Sequence, residues 1–286
     1  MTRLADLLDL VRAPAALTVL GDTIVGATSA RGAIGARGVA LSTSSACLYA
    51  AGMALNDYAD ADLDAQERPE RPIPSGRVSR TTALGVGVGL TVAGIGLSFS
   101  AGRASGLVSL GLAASVWTYD LVAKPTAAGP AVMAICRGLD VMMGAAGPGW
   151  RRAILPAVIV AAHTAALTAL SRGEVHGTTT TTARAAAAVS VGAAAAGVVG
   201  SGAHAPAALL GGAGYLASNL PAQLDAAREP DAAHARTATR QGIRSMVPLQ
   251  AALAARTGST PATVVLVAID AVGRILAGRR RKADIT

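Results

Sequence analysis

Three aspartates at helical spacing directly follow a long apolar segment. Asp57, Asp60 and Asp64 stand at positions i, i+3 and i+7, so a helix places them on one face. Neighbouring carboxylates repel one another unless a cation lies among them. A divalent cation such as Mg²⁺ prefers oxygen ligands, above all when substrate phosphates complete its shell. The alternative is a polar helix end whose acids are simply hydrated, as we expect for Asp62 on the other face.

Arginines and prolines follow these aspartates in the stretch Arg68-Pro69-Glu70-Arg71-Pro72-Ile73-Pro74-Ser75-Gly76. Guanidinium groups bind phosphate oxygens through paired hydrogen bonds, and prolines stiffen a loop that could cover a site. Acids for a metal, bases for phosphate and an adjoining apolar region are together what an isoprenyl diphosphate requires. The arginines therefore favour a binding site over a hydrated helix end.

The composition predicts that membrane-spanning helices position these residues. Hydrophobic residues make up 52% of the 286 positions and charged residues 15%, whereas a soluble protein has about a quarter charged residues. Aromatic residues make up 2%, so helices must pack through Ala and Gly. Cys47 and Cys136 lie in apolar segments and are predicted to be buried thiols.

The apolar segments predict an all-α fold. A span needs about 20 mostly apolar residues, and the candidates are roughly 13–31, 37–56, 81–101, 105–122, 129–147, 153–171, 183–201 and 205–221. A further apolar stretch, about 243–278, is broken near Gly258-Ser259-Thr260-Pro261 and holds one long span or two short ones. We predict a transmembrane bundle of about nine or ten spans around a central lipid-facing cavity, with residues 1–286 forming one domain.

The distribution of basic residues predicts the orientation. With the N-terminus in the cytoplasm, most arginines between the spans fall on the cytoplasmic side, as the positive-inside rule requires. Ten spans also bring the cluster Arg279-Arg280-Arg281-Lys282 to that side, whereas nine leave it outside. Contact with anionic lipid accounts for the net charge of +8, and without a basic helix or stacking aromatics no nucleic-acid partner is expected.

Three segments resemble a known family. The pattern Asn56-Asp57-x-x-Asp60-x-x-x-Asp64, followed by Arg-Pro-x-Arg-Pro-Ile-Pro-Ser-Gly, resembles the first aspartate-rich motif of the UbiA superfamily of intramembrane prenyltransferases. The segment Tyr119-Asp120-Leu121-Val122-Ala123-Lys124 is similar to the one that ends that family's fourth span. Ser171-Arg172-Gly173-Glu174-Val175-His176-Gly177 falls after the sixth span, where the family has its second acidic motif.

The resemblance implies roles for residues of these motifs. It implies that Mg²⁺ is held on the diphosphate of an isoprenyl donor by Asn56, Asp57, Asp60 and Asp64, and that Arg68, Arg71 and Lys124 neutralise the diphosphate charge. For Lys124 the alternative is an ordinary cation at a span end, and for Arg71 a charge that sets topology.

The chain departs from the family at the second motif. The family usually has several aspartates there, whereas this chain has Glu174 and His176. Glu174 is therefore the predicted carboxylate ligand from this segment, and a complete second metal cluster is not expected. The pattern resembles a divergent bacterial branch of the family, which implies the bacterial inner membrane, with the N-terminus and active-site loops in the cytoplasm.

Ionisable residues inside predicted spans are expected to face a cavity or the bundle interior. Arg137 and Asp140 stand three residues apart in the fifth span, so Arg137 is predicted either to form a structural ion pair with Asp140 or to bind diphosphate. Asp22 and His163 are weaker candidates for recognising an acceptor, and a hydrogen-bonded core histidine is the favoured interpretation of His163.

Together these patterns predict an enzyme that transfers an isoprenyl group from its diphosphate to an unidentified small or lipid acceptor within the membrane, with Mg²⁺ as cofactor. A non-catalytic isoprenoid carrier or assembly partner with the same fold remains an alternative because the second motif is reduced. A CDP-alcohol phosphatidyltransferase is disfavoured, since no Asp-Gly-x-x-Ala-Arg stretch precedes Asp57.

Overall fold

Helices form all the regular structure in the computed structural model, which describes residues 3–32 and 35–283, without the side chains of 14–15 and 276–283. The helices are α1 Leu4–Leu10, α2 Leu17–Arg31, α3 Gly35–Ala59, α4 Ala61–Glu67, α5 Arg80–Ala101, α6 Arg103–Thr118, α7 Gly129–Ala145, α8 Ile154–Ser171, α9 Thr180–Val198, α10 Ala205–Arg228, α11 Ala232–Ala255 and α12 Thr260–Ala283. Short 3-10 turns cover Ala13–Ala16, Trp150–Ala153 and Gly202–His204, and a π-helical turn covers Tyr119–Ala123.

The all-α prediction is confirmed, and a long helix occupies each predicted span. The last apolar stretch divides at the predicted break into α11 and α12, which gives ten helices of at least 15 residues in the described part of the chain. Among the described residues, four segments are both long and apolar enough to cross a membrane: Gly35–Ala59, Arg80–Ala101, Arg103–Ala123 and Trp150–Ser171. Among the other long helices, α2 and α7 are shorter, with 15 and 17 residues.

The long helices form two adjoining rings. In the first, α2, α3, α5, α6 and α7 pack in sequence order, and α7 closes the ring against α2. In the second, α8, α9, α10 and α11 pack in order, and α11 closes on α8. Contacts of α7 with α8 and of α2 with α11 join the two rings, while α12 packs outside α11.

Glycines allow α2 and α7 to approach closely. A β-carbon added at Gly26 would lie 1.9 Å from the carbonyl oxygen of Val141, and one at Gly144 would lie 2.2 Å from that of Thr23. Small residues at such crossings let membrane helices gain van der Waals contact where lipid provides no hydrophobic drive. The two glycines thus fix the contact that closes the first ring.

Consecutive long helices run alternately between two ends of the bundle. The acidic end holds Asp57, Asp60 and Asp64, and the opposite end holds Arg31 and Arg37, whose guanidinium groups donate to carbonyl oxygens at the end of α7. Because α12 begins at the opposite end, its backbone returns to the acidic end. The side chains of the basic cluster at 279–282 lie outside the described residues.

Candidate active site

The predicted aspartate cluster lies where α3 passes into α4. The helix does not continue unbroken as predicted, because Asp60 leaves helical geometry and becomes the N-cap of α4. Helical hydrogen bonds still cross this break, from the Asp60 amide to the Asn56 carbonyl (2.9 Å) and from the Asp64 amide to the Asp60 carbonyl (2.8 Å). The helical spacing therefore persists, and Asp57 and Asp64 are both buried.

Arg71 joins two of these carboxylates. Its Nη1 lies 2.7 Å from Asp64 Oδ2 and 3.3 Å from Asp57 Oδ1. The loop after α4 folds back on itself through the hydrogen bond from the Ser75 amide to the Arg71 carbonyl. The arginine following the acidic cluster thus returns to the cluster, and its side chain is only 19% exposed.

A second arginine at this site was not predicted from the sequence. Arg12, which precedes α2, donates from Nη2 to Asp57 Oδ1 at 2.8 Å. Within the described part of the chain, Arg12 is the non-glycine residue whose backbone angle φ is positive, at 47°. Such a conformation costs on the order of 1 kcal/mol and persists where surrounding contacts hold it. No local sequence pattern indicated this role, because the contact joins residues 45 positions apart.

The π-helical turn at the end of α6 contributes a base and an unpredicted acid. Lys124 Nζ forms an ion pair with Asp60, and buried Asp120 accepts a hydrogen bond from Asn56 Nδ2 at 3.4 Å. An extra residue in a π turn rotates the side chains that follow it, and such turns are frequent at functional sites. Asp120 lies in the Tyr119-Asp120-Leu121-Val122-Ala123-Lys124 segment, but its spacing from other acidic residues did not indicate a site residue.

Four carboxylates and four cations lie together around the aspartate cluster. The carboxylates are Asp57, Asp60, Asp64 and Asp120, and the neighbouring cations are Arg12, Arg68, Arg71 and Lys124. Arg68 makes the loosest of these pairs, with its Nη1 3.7 Å from Asp64 Oδ1 and 45% of its side chain exposed. By contrast, Asp62 points away and pairs with Arg80 at the surface.

The segment that contains Glu174 lies at the same end of the bundle. Arg172 donates to the carbonyl oxygen of Lys124, and Arg236 donates to the carbonyl oxygen of Glu174 at 2.7 Å. The half-buried Glu174 carboxylate forms no ion pair or hydrogen bond within the described residues. Its side chain is therefore available as a ligand.

A second group of possible metal ligands lies beside this segment. Glu229, Asp231 and His234 place one ligand atom each within 4.8 Å of one another, and the Thr178 amide donates to the Pro230 carbonyl oxygen at 2.9 Å. Asp231 is the N-cap of α11, and the His234 amide that it binds holds the pKa of its carboxyl below the ordinary value. Capping accounts for Asp231 without a metal.

The residues of the aspartate cluster suit Mg²⁺. Their side-chain ligands are oxygen atoms, which Mg²⁺ prefers. In addition, Asp64 Oδ1 is buried and accepts no hydrogen bond in the described part of the chain. A buried carboxylate oxygen without a hydrogen bond is costly, and coordination of a cation would remove that cost. We therefore find that Asp57, Asp60 and Asp64 fit a magnesium site.

A cavity of about 110 Å³ adjoins the cluster inside the first ring. Apolar side chains of α2, α3, α6 and α7 form most of its wall, among them Leu48, Leu112 and Met133. Polar residues lie at two places. Asp120 marks the acidic end, and Ser45, Arg137 and Asp140 lie deeper, along α3 and α7.

Arg137 forms a different ion pair from the one predicted. Its Nε lies 2.9 Å from Asp22 Oδ2 on α2, and Asp140 instead accepts a 2.5 Å hydrogen bond from Ser45 Oγ. The close contact between α2 and α7 brings Asp22 opposite Arg137. Asp22 and the Thr18 carbonyl oxygen engage its guanidinium, and the role of Arg137 as a diphosphate ligand stays a prediction.

His163 lies in the second ring, with hydrogen-bond partners on both ring nitrogens. Nδ1 lies 2.8 Å from the hydroxyl of Tyr215, and Nε2 lies 3.1 Å from the carbonyl oxygen of Gly242. Since the ring is 1% exposed, these contacts support the structural interpretation of His163.

Comparison with known proteins identifies related sequences. The model of the UbiA prenyltransferase family matches residues 19–224. Digeranylgeranylglyceryl phosphate synthase of Korarchaeum cryptofilum is 42% identical over 76 residues, which are 27% of each chain. The enzyme of the same name from Natronomonas pharaonis is 32% identical over 174 residues, 60% of this chain and 62% of the relative.

A solved structure shares the fold. The apo structure of a UbiA homologue from Aeropyrum pernix K1 superposes with a TM-score of 0.66 at 17% identity, over 83% of this chain and 96% of that one. At this identity the likeness concerns the arrangement of helices. It supports the predicted multi-span bundle. The family match and the apolar helices indicate an integral membrane protein.

Proposed function

This chain belongs to the UbiA prenyltransferase family, and from that premise we propose that it transfers an isoprenyl group from a prenyl diphosphate to a small or lipid acceptor within the membrane, with Mg²⁺ as cofactor. The observation that carries the proposal is the arrangement of four carboxylates and four cations beside an apolar cavity. This combination suits a ligand with a charged head and a hydrocarbon chain.

The ion pairs at the acidic end support a requirement for metal. Arg12, Arg68 and Arg71 already pair with Asp57 and Asp64, so a diphosphate entering alone would add negative charge that these pairs do not compensate. A divalent cation entering with it offsets that charge. When bound, Mg²⁺ would stabilise the negative charge of the leaving diphosphate.

The basic residues have a role in the same reaction. As the bond between C1 of the donor and the diphosphate oxygen breaks, its electron pair stays on the diphosphate. Arg71, Arg68 and Lys124 would stabilise that charge, because preorganised cations act most strongly where charge develops. Arg71 and Lys124 hold carboxylates in this structure, and both side chains would bind phosphate oxygens if the carboxylates held a metal.

The cavity walls protect the reacting carbon. An allylic cation reacts rapidly with water, and the apolar wall excludes water while the acceptor forms its bond to C1 and releases a proton. The relatives are named for synthesis of digeranylgeranylglyceryl phosphate. A geranylgeranyl donor and a glyceryl phosphate acceptor are therefore the first substrates to test, followed by membrane extract as a source of other acceptors.

The decisive experiment measures diphosphate release by the purified protein in lipid nanodiscs. Wild type with Mg²⁺ should release diphosphate from at least one of the geranyl, farnesyl and geranylgeranyl donors, and EDTA should abolish the release. Asp57→Asn and Asp60→Asn should lower the rate about 100-fold or more. Asp62→Asn, which alters an exposed aspartate of the same segment, is the matched control and should retain activity.

Glu174→Gln tests the altered second motif. A rate reduced about tenfold or more, with Mg²⁺ dependence shifted to higher concentration, would assign this carboxylate to the metal site. Donor binding without release, across all donors and membrane extracts, would instead support the carrier alternative. The expected cytoplasmic position of the acidic end is tested separately, by labelling a cysteine introduced at exposed Asp62 in intact cells.

A further inference from the structure

The deeper polar part of the cavity has no role in the proposed reaction. Asp140 on α7 lines the cavity and is 4% exposed, and its Oδ2 accepts from Ser45 at 2.5 Å. Its other oxygen, Oδ1, is buried and accepts no hydrogen bond within the described residues. A buried carboxylate oxygen without a hydrogen-bond partner is unfavourable, because it has lost its contact with water and gained no other donor.

Arg137 does not compensate this carboxylate directly. Its guanidinium pairs with Asp22, which also accepts from Gln250 Nε2 at 2.7 Å. The network thus contains two carboxylates and one cation. Without Asp140, the neutral pair of Arg137 and Asp22 would remain intact. Asp140 is therefore dispensable for packing α2 against α7, yet it places a polar group in the cavity wall.

We propose that Asp140 and Ser45, beside Arg137, form a subsite that binds a hydroxyl group of the acceptor. A hydroxyl can both donate and accept a hydrogen bond, so it satisfies the free oxygen of Asp140 whether the carboxyl is ionised or neutral. A hydrocarbon chain ending here would leave that oxygen without a partner. The cavity therefore suits the polar head of an acceptor better than the end of a prenyl tail.

The subsite and the acidic end border the same cavity of about 110 Å³. Cys136 lines the cavity one helical turn before Asp140 on α7, and Asp120 lines the same cavity where it meets the acidic end. A head group with two or more hydroxyls could place one at Asp140 and direct another towards C1 of the donor. This inference rests on the proposed function, and it assigns the acceptor to the class of polyhydroxylated small molecules or lipids.

A pair of probes tests the subsite without requiring turnover. 1-O-octylglycerol carries two hydroxyls, and octyl propyl ether has the same skeleton with both replaced by hydrogen. Dissociation constants come from thermal-shift titrations of the protein in nanodiscs. Wild type should bind the diol about tenfold or more tightly than the ether, which is the effect of one hydrogen bond to a charged group.

Variants of Asp140 test whether this residue causes the preference for the diol over the ether. Asp140→Leu should bind the two probes about equally, and its melting temperature should equal or exceed that of wild type, because Arg137 keeps Asp22 as its partner. Asp140→Asn should reduce the preference about threefold, since a neutral acceptor forms a weaker hydrogen bond. Ser44→Ala is the matched control. The Ser44 hydroxyl neighbours Ser45 but donates to the Gly94 carbonyl oxygen, so this variant should retain the preference for the diol.

Two results would overturn the subsite: equal binding of the probes by wild type, or a full preference in Asp140→Leu. If Asp140→Leu does not fold, an unchanged preference in Asp140→Asn is the deciding negative result. Diphosphate release by the same wild-type preparation is measured in parallel, with the geranyl, farnesyl and geranylgeranyl donors, membrane extract and Mg²⁺. Release without a hydroxyl preference refutes the subsite alone, whereas no release with any donor refutes the proposed function.

Discussion

The ion pair between Arg71 and Asp64 can be tested quantitatively with a double-mutant cycle. Arg71 Nη1 lies 2.7 Å from Asp64 Oδ2, and the two side chains are 19% and 2% exposed. At an effective dielectric constant of about 20, charges about 4 Å apart attract by about 4 kcal/mol. Because Arg71 also contacts Asp57 at 3.3 Å, part of that attraction survives the loss of Asp64. We therefore expect a coupling free energy of about 2–3 kcal/mol.

The cycle consists of Arg71→Gln, Asp64→Asn and the double variant. Arg71→Gln should be the most destabilising, by about 3 kcal/mol, because it leaves buried Asp64 with only Arg68 at 3.7 Å. The double variant should recover part of that loss. The free energy of unfolding is measured by denaturant titration in mixed micelles, with helix content followed by circular dichroism.

An exposed pair in the same region provides the control. Arg77 lies 3.0 Å from Asp9, and their side chains are 37% and 56% exposed. The cycle of Arg77→Gln with Asp9→Asn should give a coupling below about 1 kcal/mol, since water screens surface pairs. If the Arg71 and Asp64 cycle gives no more than this exposed pair, the described burial and geometry of the acidic end are wrong.

Two further predictions concern packing and capping. Gly26→Ala places a β-carbon 1.9 Å from the Val141 carbonyl oxygen, so it should sharply lower the yield of folded protein and the melting temperature. Gly89→Ala is the control, because its β-carbon would meet nothing within 4 Å, and it should leave both quantities unchanged. Equal behaviour of the two variants would contradict the close contact between α2 and α7. The hydrogen bond from the His234 amide lowers the pKa of Asp231 from its ordinary 3.8. The stability difference between wild type and Asp231→Ala should therefore have its full size above about pH 4. It should disappear as the pH falls through the lowered pKa. Melting curves between pH 3 and pH 7 check this, and an unchanged difference at pH 3 would exclude a charged cap.

The sequence predicted those features that depend on neighbouring residues. The spacing of Asp57, Asp60 and Asp64 places them together whether or not the helix is interrupted, because the hydrogen bonds that define helical spacing join residues four positions apart. The return of Arg71 to the cluster follows from a short loop in the same way. Apolar segment lengths predicted the long helices because a membrane imposes a minimum length on each span.

The sequence could not predict contacts between distant segments. Lys124 reaches Asp60 and Arg12 reaches Asp57 across 64 and 45 positions. No local pattern specifies such pairs, since they depend on which faces of two helices meet. Lys124 was predicted at this site because of a family resemblance, and Arg12 was missed because no recognised motif contains it.

The difference is clearest for Arg137. The sequence placed Asp140 one helical turn away and allowed an ion pair, yet the structure pairs Arg137 with Asp22. Gly26 and Gly144 let α2 and α7 approach until their backbones are in contact, and this approach brings Asp22 to the guanidinium. The sequence by itself therefore determined which ionisable groups lie within the membrane bundle. Only the tertiary structure decided which of them are paired and which, like Asp140, face the cavity, because helix packing selects one partner among several within reach.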